Sequence, residues 1–221
     1  MERHFTHELE SLKTFLIKMA SMVETNLVSS IQALMERNEL LAAKVIENDR
    51  RIDSLEIEID NIILDLLALQ HPVASDLRFI IAAQKINNDL ERISDHAVNI
   101  AQSVPAFKTP QAAGDMIDIP TMVDLAKAML RDALDSFIRV DPSLAQSVIK
   151  QDDVMDDLNR KMSRKVVELI KAGTQSVESG LELNRVSRNL ERVADLTTNI
   201  AEEVIFLSQA RIVKHGAGEK L

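Results

Sequence analysis

The stretch Asn88–Ala101 reads NDLERISDHAVNIA, and one hundred positions later Arg188–Ala201 reads RNLERVADLTTNIA. Seven of the fourteen positions are identical: Leu90/Leu190, Glu91/Glu191, Arg92/Arg192, Asp95/Asp195, Asn99/Asn199, Ile100/Ile200 and Ala101/Ala201. A helix repeated only for its packing would keep its apolar stripe and let the solvent face drift. Here a Glu, an Arg, an Asp and an Asn recur in register, which packing does not require. The pair therefore reads as an internal duplication that carries a site.

The duplication extends outward. Asn48–Leu55 (NDRRIDSL) matches Gln151–Leu158 (QDDVMDDL), aligning Asp49/Asp152, Asp53/Asp156 and Leu55/Leu158 at an offset of 103. The change of offset from 103 to 100 implies a shorter joint in the second copy, where Gly173 replaces Pro72. Proline marks the other breaks, because it lacks an N–H and clashes inside a helix. Pro105, Pro110 and Pro120 enclose a linker containing Gly114, while Asp141 and Pro142 read as N-cap and first helical residue. Six helices are predicted, at about 5–36, 39–70, 73–104, 121–140, 142–172 and 176–209. Their apolar stripes include Leu12, Leu16, Met19 and Val23 on the first, Ile52, Leu55, Ile59, Ile63, Leu66 and Leu67 on the second, and Val148, Val154, Met155, Met162, Val166 and Val167 on the fifth. The expected fold is all-α, two tandem three-helix bundles. The first spans 1–107 and the second 121–210, with a linker at 108–120 and a loose tail at 211–221.

Composition agrees. Aromatics are 3% of the chain, Trp, Tyr and Cys are absent, and the first glycine is Gly114. A chain that avoids glycine for so long does not call on positive φ, as long helices with tight joints do not. Without cysteine there are no disulfides, zinc–thiolate sites or iron–sulfur clusters. The charged start MERHFTHELE has no signal-peptide core, and no uncharged run approaches the length of a membrane span. A soluble cytoplasmic protein is expected. The net charge of −9 and the lack of a basic, aromatic-studded stripe argue against nucleic acid.

Each copy carries two carboxylate pairs at i,i+4: Asp49/Asp53 and Glu91/Asp95 in the first, Asp152/Asp156 and Glu191/Asp195 in the second. Such residues share one helix face, so antiparallel neighbours could pool four acids, with Asn99 or Asn199 one turn further on. That donor set suits a hard cation or an oxygen-ligated cluster. With 35 acids in 221 residues, about five or six such pairs arise by chance, so one pair alone carries no weight. Recurrence in register is what argues for metal. Arg92 and Arg192 read as partners of nearby Asp side chains or as anion contacts. His96 faces Leu196 in the second copy and is read as incidental. No His has an acid three residues before it, so a ferritin-like di-iron site is not expected. No phosphate-binding loop or nucleophile–base motif appears, and an enzyme has little support.

From Phe5 to about Gln209 the chain resembles the PhoU family of phosphate-transport and phosphate-signalling regulators. The resemblance rests on Ile52–Leu69 (IDSLEIEIDNIILDLLAL), His71–Arg78 (HPVASDLR) and the twinned LERISDHAVNIA and LERVADLTTNIA. It implies paired three-helix bundles with pseudo-twofold symmetry, a cytosolic location and a homodimer. It also implies a non-catalytic role: restraint of the phosphate ABC transporter, through its ATPase, and of the phosphate sensor histidine kinase when phosphate is plentiful. The family's metal motif falls on Asp49/Asp53, Glu91/Asp95, Asp152/Asp156 and Glu191/Asp195. Iron or zinc clusters are implied, with manganese or magnesium compatible, and Asp76, Arg78, Arg92 and Arg192 are candidate binding residues. Membrane contact is expected only through partners or anionic lipid. Glu56 becomes Asn159 in the second copy and Asp76-Leu77-Arg78 has no equivalent there, so the two sites need not be equal. A metal-dependent, phosphatase-like enzyme would instead lose turnover in Glu91→Ala or Glu191→Ala. A purely structural adaptor would carry no metal on purification without chelator.

Overall fold

The structure, a computed structural model, describes residues 2–69, 72–107 and 118–210; His71, most of the expected linker and the expected tail lie outside them. It contains six helices: α1 (Glu2–Glu36), α2 (Glu39–Leu69), α3 (Ala74–Ser103), α4 (Ile119–Arg139), α5 (Pro142–Lys171) and α6 (Val177–Gln209). A short 3-10 turn, Val104–Phe107, follows α3. At 1.5 Å per residue, helices of about 30 residues are rods of about 45 Å. The predicted boundaries hold to within a few residues, except that α2 and α3 stop and start slightly inside them.

Local chemistry explains the joints. Asp141 caps α5, its carboxylate accepting from the backbone N–H groups of Ser143 at 2.9 Å and Leu144 at 3.2 Å, with Pro142 in the first turn as expected. Asn38 Oδ1 accepts from Leu41 N at 3.0 Å at the start of α2, and Ser176 caps α6 through Ser179 N at 3.1 Å. Gly173 has φ +70°, a left-handed position that glycine adopts without a Cβ clash. Part of the first joint lies outside the described residues; in the second copy residues 172–176 join α5 to α6. The register shift is absorbed at the start of α6, which begins at Val177 and not at Thr174, the position equivalent to Ala74. A helix can lose a turn at its end more easily than a cap can be shortened.

Helices α1, α2 and α3 pack on one another, as do α4, α5 and α6, giving the two expected bundles. They do not sit apart. Helices α3 and α6 pack along their lengths, and the buried side chains form one continuous core across the seam. Outer helices α2 and α5 are the ones left on the flanks. The seam is antiparallel: Lys85 Nζ meets Glu203 at 2.8 Å, His96 Nδ1 meets Asn189 Oδ1 at 2.9 Å, and Arg185 donates to Gln102 at 3.2 Å. The rings of Phe79 and Phe137 stack with centroids 6.4 Å apart, tying α3 to α4.

The repeat divides cleanly within this frame. Its apolar matches, Leu90/Leu190, Ile100/Ile200 and Ala101/Ala201, are buried, each large one contributing about 1.5–3 kcal/mol by leaving water. The Glu and Asp matches are partly or fully accessible and turn toward the flanking helix. Not every apolar residue assigned to a stripe is inside. Leu67, Val154 and Val167 are exposed, because outer helices α2 and α5 bury a narrower stripe than helices packed on two sides.

Candidate metal centres

In the first bundle Asp49 and Asp53 on α2 converge with Glu91 and Asp95 on α3. Ser94 Oγ donates to Asp49 Oδ1 at 2.6 Å and itself accepts from Asn26 Nδ2 on α1 at 3.1 Å, so three helices fix this edge. Burial raises the Asp49 carboxyl, the Ser94 hydrogen bond opposes that, and Asp53 and Asp95 add to it. Glu91 is pushed up to about 7, first by burial and then by Asp95, Glu56, Asp53 and Asp49. Glu56 is raised by burial and by Asp60, Asp53 and Asp95. Five acids therefore share one field, with Glu56 a member that the motif does not contain. Its spacing gave the signal: Glu56 follows Asp49 by two helical turns and Asp53 by one, on the same face.

The second bundle repeats the arrangement with different neighbours. Carboxylate oxygens of Asp156 on α5 and of Glu191 and Asp195 on α6 all lie within 4.8 Å of one another, the one such group of three among the described residues. Asp152 is pushed up to about 6 by burial, then by Asp195, Asp156 and Asp153, with the Thr198 hydroxyl working against the shift. Its Oδ1 is buried and has no hydrogen-bond partner among the described residues. Glu191 is raised by burial and Asp195 while Arg192 pulls it down. Two arginines hold these acids. Arg192 bonds Asp195 at 2.7 Å and approaches Glu191 at 3.5 Å, and Arg160 reaches Asp156 at 3.4 Å. Their charge lets three carboxylates crowd together, which like charges alone resist.

The clusters are thus unequal in charge. The first has an added Glu56, where the second has Asn159 accepting from Ser187 at 2.7 Å. Arg92, the counterpart of Arg192, points away to Asp89 at 3.9 Å. The donor chemistry fits a hard cation: only oxygen ligands, carboxyls lifted by burial and then by mutual repulsion, and a buried oxygen left without a donor among the described residues. Such a cation would be held by Asp49, Asp53, Glu56, Glu91 and Asp95 in the first centre. Asp152, Asp156, Glu191 and Asp195 would hold one in the second.

Other candidates stand elsewhere. Asn199 lines a groove between α3 and α6 with Asn88, Asp89 and Glu202. Asn99 is half-buried, its backbone carbonyl accepting from Ser103 at 3.3 Å. Among the described residues neither amide hydrogen-bonds the clustered acids. One further helical turn also rotates a residue about 40° around the axis, and that rotation turns Asn199 onto the seam. Asp76 and Arg78 sit in the first turns of α3, about 20 Å along the helix from Glu91. Asp76 borders a pocket with Lys13, Phe79 and Phe137, and Arg78 keeps a buried Nε without an acceptor among the described residues. His96 is a seam residue whose Nδ1 meets Asn189 Oδ1.

Comparison with known proteins places this architecture. The PhoU domain family matches residues 16–104 and again 119–204, one match per bundle. A phosphate-specific transport system accessory protein PhoU homolog from Thermotoga maritima is 36% identical over 212 residues, covering 96% of this chain and 91% of its own length. A protein of the same description from Zymomonas mobilis is 33% identical over 207 residues, covering 94% and 87%. The crystal structure of PhoU from Pseudomonas aeruginosa superposes with a TM-score of 0.89 at 32% identity, covering 94% of this chain and all of that one. A phosphate transport system regulatory protein PhoU from Streptococcus pneumoniae gives 0.85 at 28% identity, covering 95% and 99%. The chain belongs to the PhoU family.

Proposed function

We propose that this PhoU-family chain is a non-catalytic, cytosolic regulator that restrains the phosphate ABC transporter and the phosphate sensor histidine kinase when phosphate is plentiful. The observation that carries the reading is the match of both bundles to one family, whose relatives are described as accessory or regulatory proteins of phosphate transport. The fold suits such a role. Two rods fused along α3 and α6 present long, rigid helix faces, and cations bridging α2 to α3 and α5 to α6 would lock the spacing of those faces. No described helix is long and apolar enough to cross a membrane, so membrane contact would run through partners or anionic lipid.

Metal binding is part of the proposal. The all-oxygen clusters suit manganese, magnesium or iron better than zinc, which favours nitrogen and sulfur ligands. A homodimer is proposed as well. Leu64 and Leu67 of α2 and Leu77 and Ile81 of α3 lie exposed near the Pro72 turn, an apolar strip that a second copy would cover. In sedimentation experiments, Leu64→Glu/Ile81→Glu is expected to convert a dimer to monomer with the helix content unchanged. A wild-type chain already monomeric at tens of micromolar would remove that element.

The partner reading is tested by a pull-down from phosphate-replete cell membranes with the metal-loaded chain as bait. Recovery of a transporter ATPase or a sensor kinase is expected, and chelation is expected to reduce it. Recovery of neither would sink the assignment.

A further inference from the structure

The seam between α3 and α6 has two ends related by the repeat, and they carry opposite charge. At one end a groove is lined by Lys85, Asn88, Asp89, Glu202 and Glu203. There Lys85 is met by the buried Glu203 at 2.8 Å. At the other end a groove of about 400 Å³ is lined by Leu181, Asn184, Arg185, Arg188, Asn189 and Arg192. The repeat converts Lys85 to Arg185 and Asn88 to Arg188. On the facing helix it converts Glu202 and Glu203 to Gln102 and Ser103, removing both acids. Among the described residues Arg185 consequently meets the neutral Gln102 across the seam, with Glu182 on its own helix at 3.7 Å. Arg188 makes no ion pair among the described residues.

Arg185, Arg188 and Arg192 line this groove from one face of α6, on a protein with net charge −9, and Arg192 is the one of the three held by Asp195 and Glu191. Dispersed repulsion would be the cheaper arrangement, and a solvated basic face would not need the opposing acids removed. Asn184 spends its oxygen on Ser163, while Asn189 meets His96 through its oxygen and donates through its amide nitrogen to the Arg185 carbonyl at 2.8 Å, so the groove's donors are chiefly the arginines and the Asn184 amide. Planar guanidinium forks match the oxygens of a tetrahedral dianion two at a time, and the volume exceeds that of one such ion. We propose that this groove is a binding site for a phosphoryl group, with Arg185 and Arg188 as its principal contacts and Arg192 linking it to Asp195 and Glu191 of the second metal centre. The proposal goes beyond the regulatory reading and does not depend on which protein is the partner.

The test uses the full chain after chelation. Titration calorimetry with orthophosphate and pyrophosphate is expected to show binding that weakens with added salt. The double variant Arg185→Gln/Arg188→Gln should bind at least about tenfold more weakly, since each bond to a charged group is worth more than a neutral one. Lys85→Gln, at the opposite end, should leave binding unchanged. Both altered arginines are surface residues, and an unaltered thermal midpoint would show that the double variant is folded. Co-sedimentation with phosphatidylcholine vesicles, with and without phosphatidic acid, separates the sources. Binding to the soluble ions alone assigns a free phosphate; binding only to phosphatidic acid assigns a lipid headgroup; either supports the site. Absence of both, equal binding by the double variant, or capture of an Asp/Glu-rich peptide without any phosphoryl probe would overturn it. Such failure would leave the pull-down result, and with it the regulatory reading, untouched.

Discussion

Replacing Glu91 and Asp95 together, as Glu91→Gln/Asp95→Asn, is expected to stabilise the metal-free protein at pH 8 and to reduce its stabilisation by metal. The two effects have opposite signs because one feature causes both. In the folded chain Glu91 holds its proton up to about 7, against an ordinary value of 4.5. Between those values the folded state binds more protons than the unfolded one, so stability falls as pH rises through the window. Above pH 7 the whole penalty of an ionised, crowded carboxylate is present. After discounting for solvent screening it amounts to about 1–2 kcal/mol, or about 2–4 °C per kcal/mol for a chain of this size. The double variant lacks that penalty and should melt higher than wild type at pH 8, with the gap closing toward pH 5.

A cation reverses the order. Ligand at a hundredfold excess over its dissociation constant adds about 2.7 kcal/mol to a chain that binds it only when folded. Wild type in manganese should therefore overtake the variant. The second centre still contributes, so combining the change with Glu191→Gln and Asp195→Asn should remove the remaining metal shift. Thermal melts across pH 5–8, with and without manganese, check all of this. A metal shift of equal size in wild type and in the combined variant would show that these acids are not the site.

The repeated motif made both fold and acids legible because a duplicated sequence constrains two environments at once. Leu90 and Leu190 could only recur as core, and Asp141-Pro142 could only begin a helix. What escaped the sequence was whatever depends on which helix faces which. Glu56 joins the first centre because α3 lies against it; its spacing from Asp49 and Asp53 was visible, but Asn159 at the equivalent position meant that the duplication did not mark it as a ligand. The Arg192–Asp195 pair was among the possible readings, but nothing in the motif says that Arg92 turns to Asp89 while Arg192 stays on the acids. The α3–α6 seam is the largest omission. Its polar contacts are few, its two ends differ in charge, and each half of the chain looks self-sufficient when read alone.

That seam leads to the largest stability effect. Phe107→Ala is expected to destabilise the protein by about 3–5 kcal/mol and to lower its thermal midpoint by roughly 10 °C. Phe107 is fully buried in the 3-10 turn that ends the first repeat, and that turn touches α1, α2, α3 and α6. Truncation leaves a cavity where both bundles meet, and helices anchored on several sides cannot close over it. Because the core runs unbroken across α3 and α6, the loss should be felt by the whole chain. Calorimetry of the variant should show one cooperative transition, shifted down but not split. Two transitions, only one of them displaced from its wild-type position, would mean that the bundles unfold independently. Metal held in one bundle could then no longer stabilise the other, and the seam would be a contact and not a shared core.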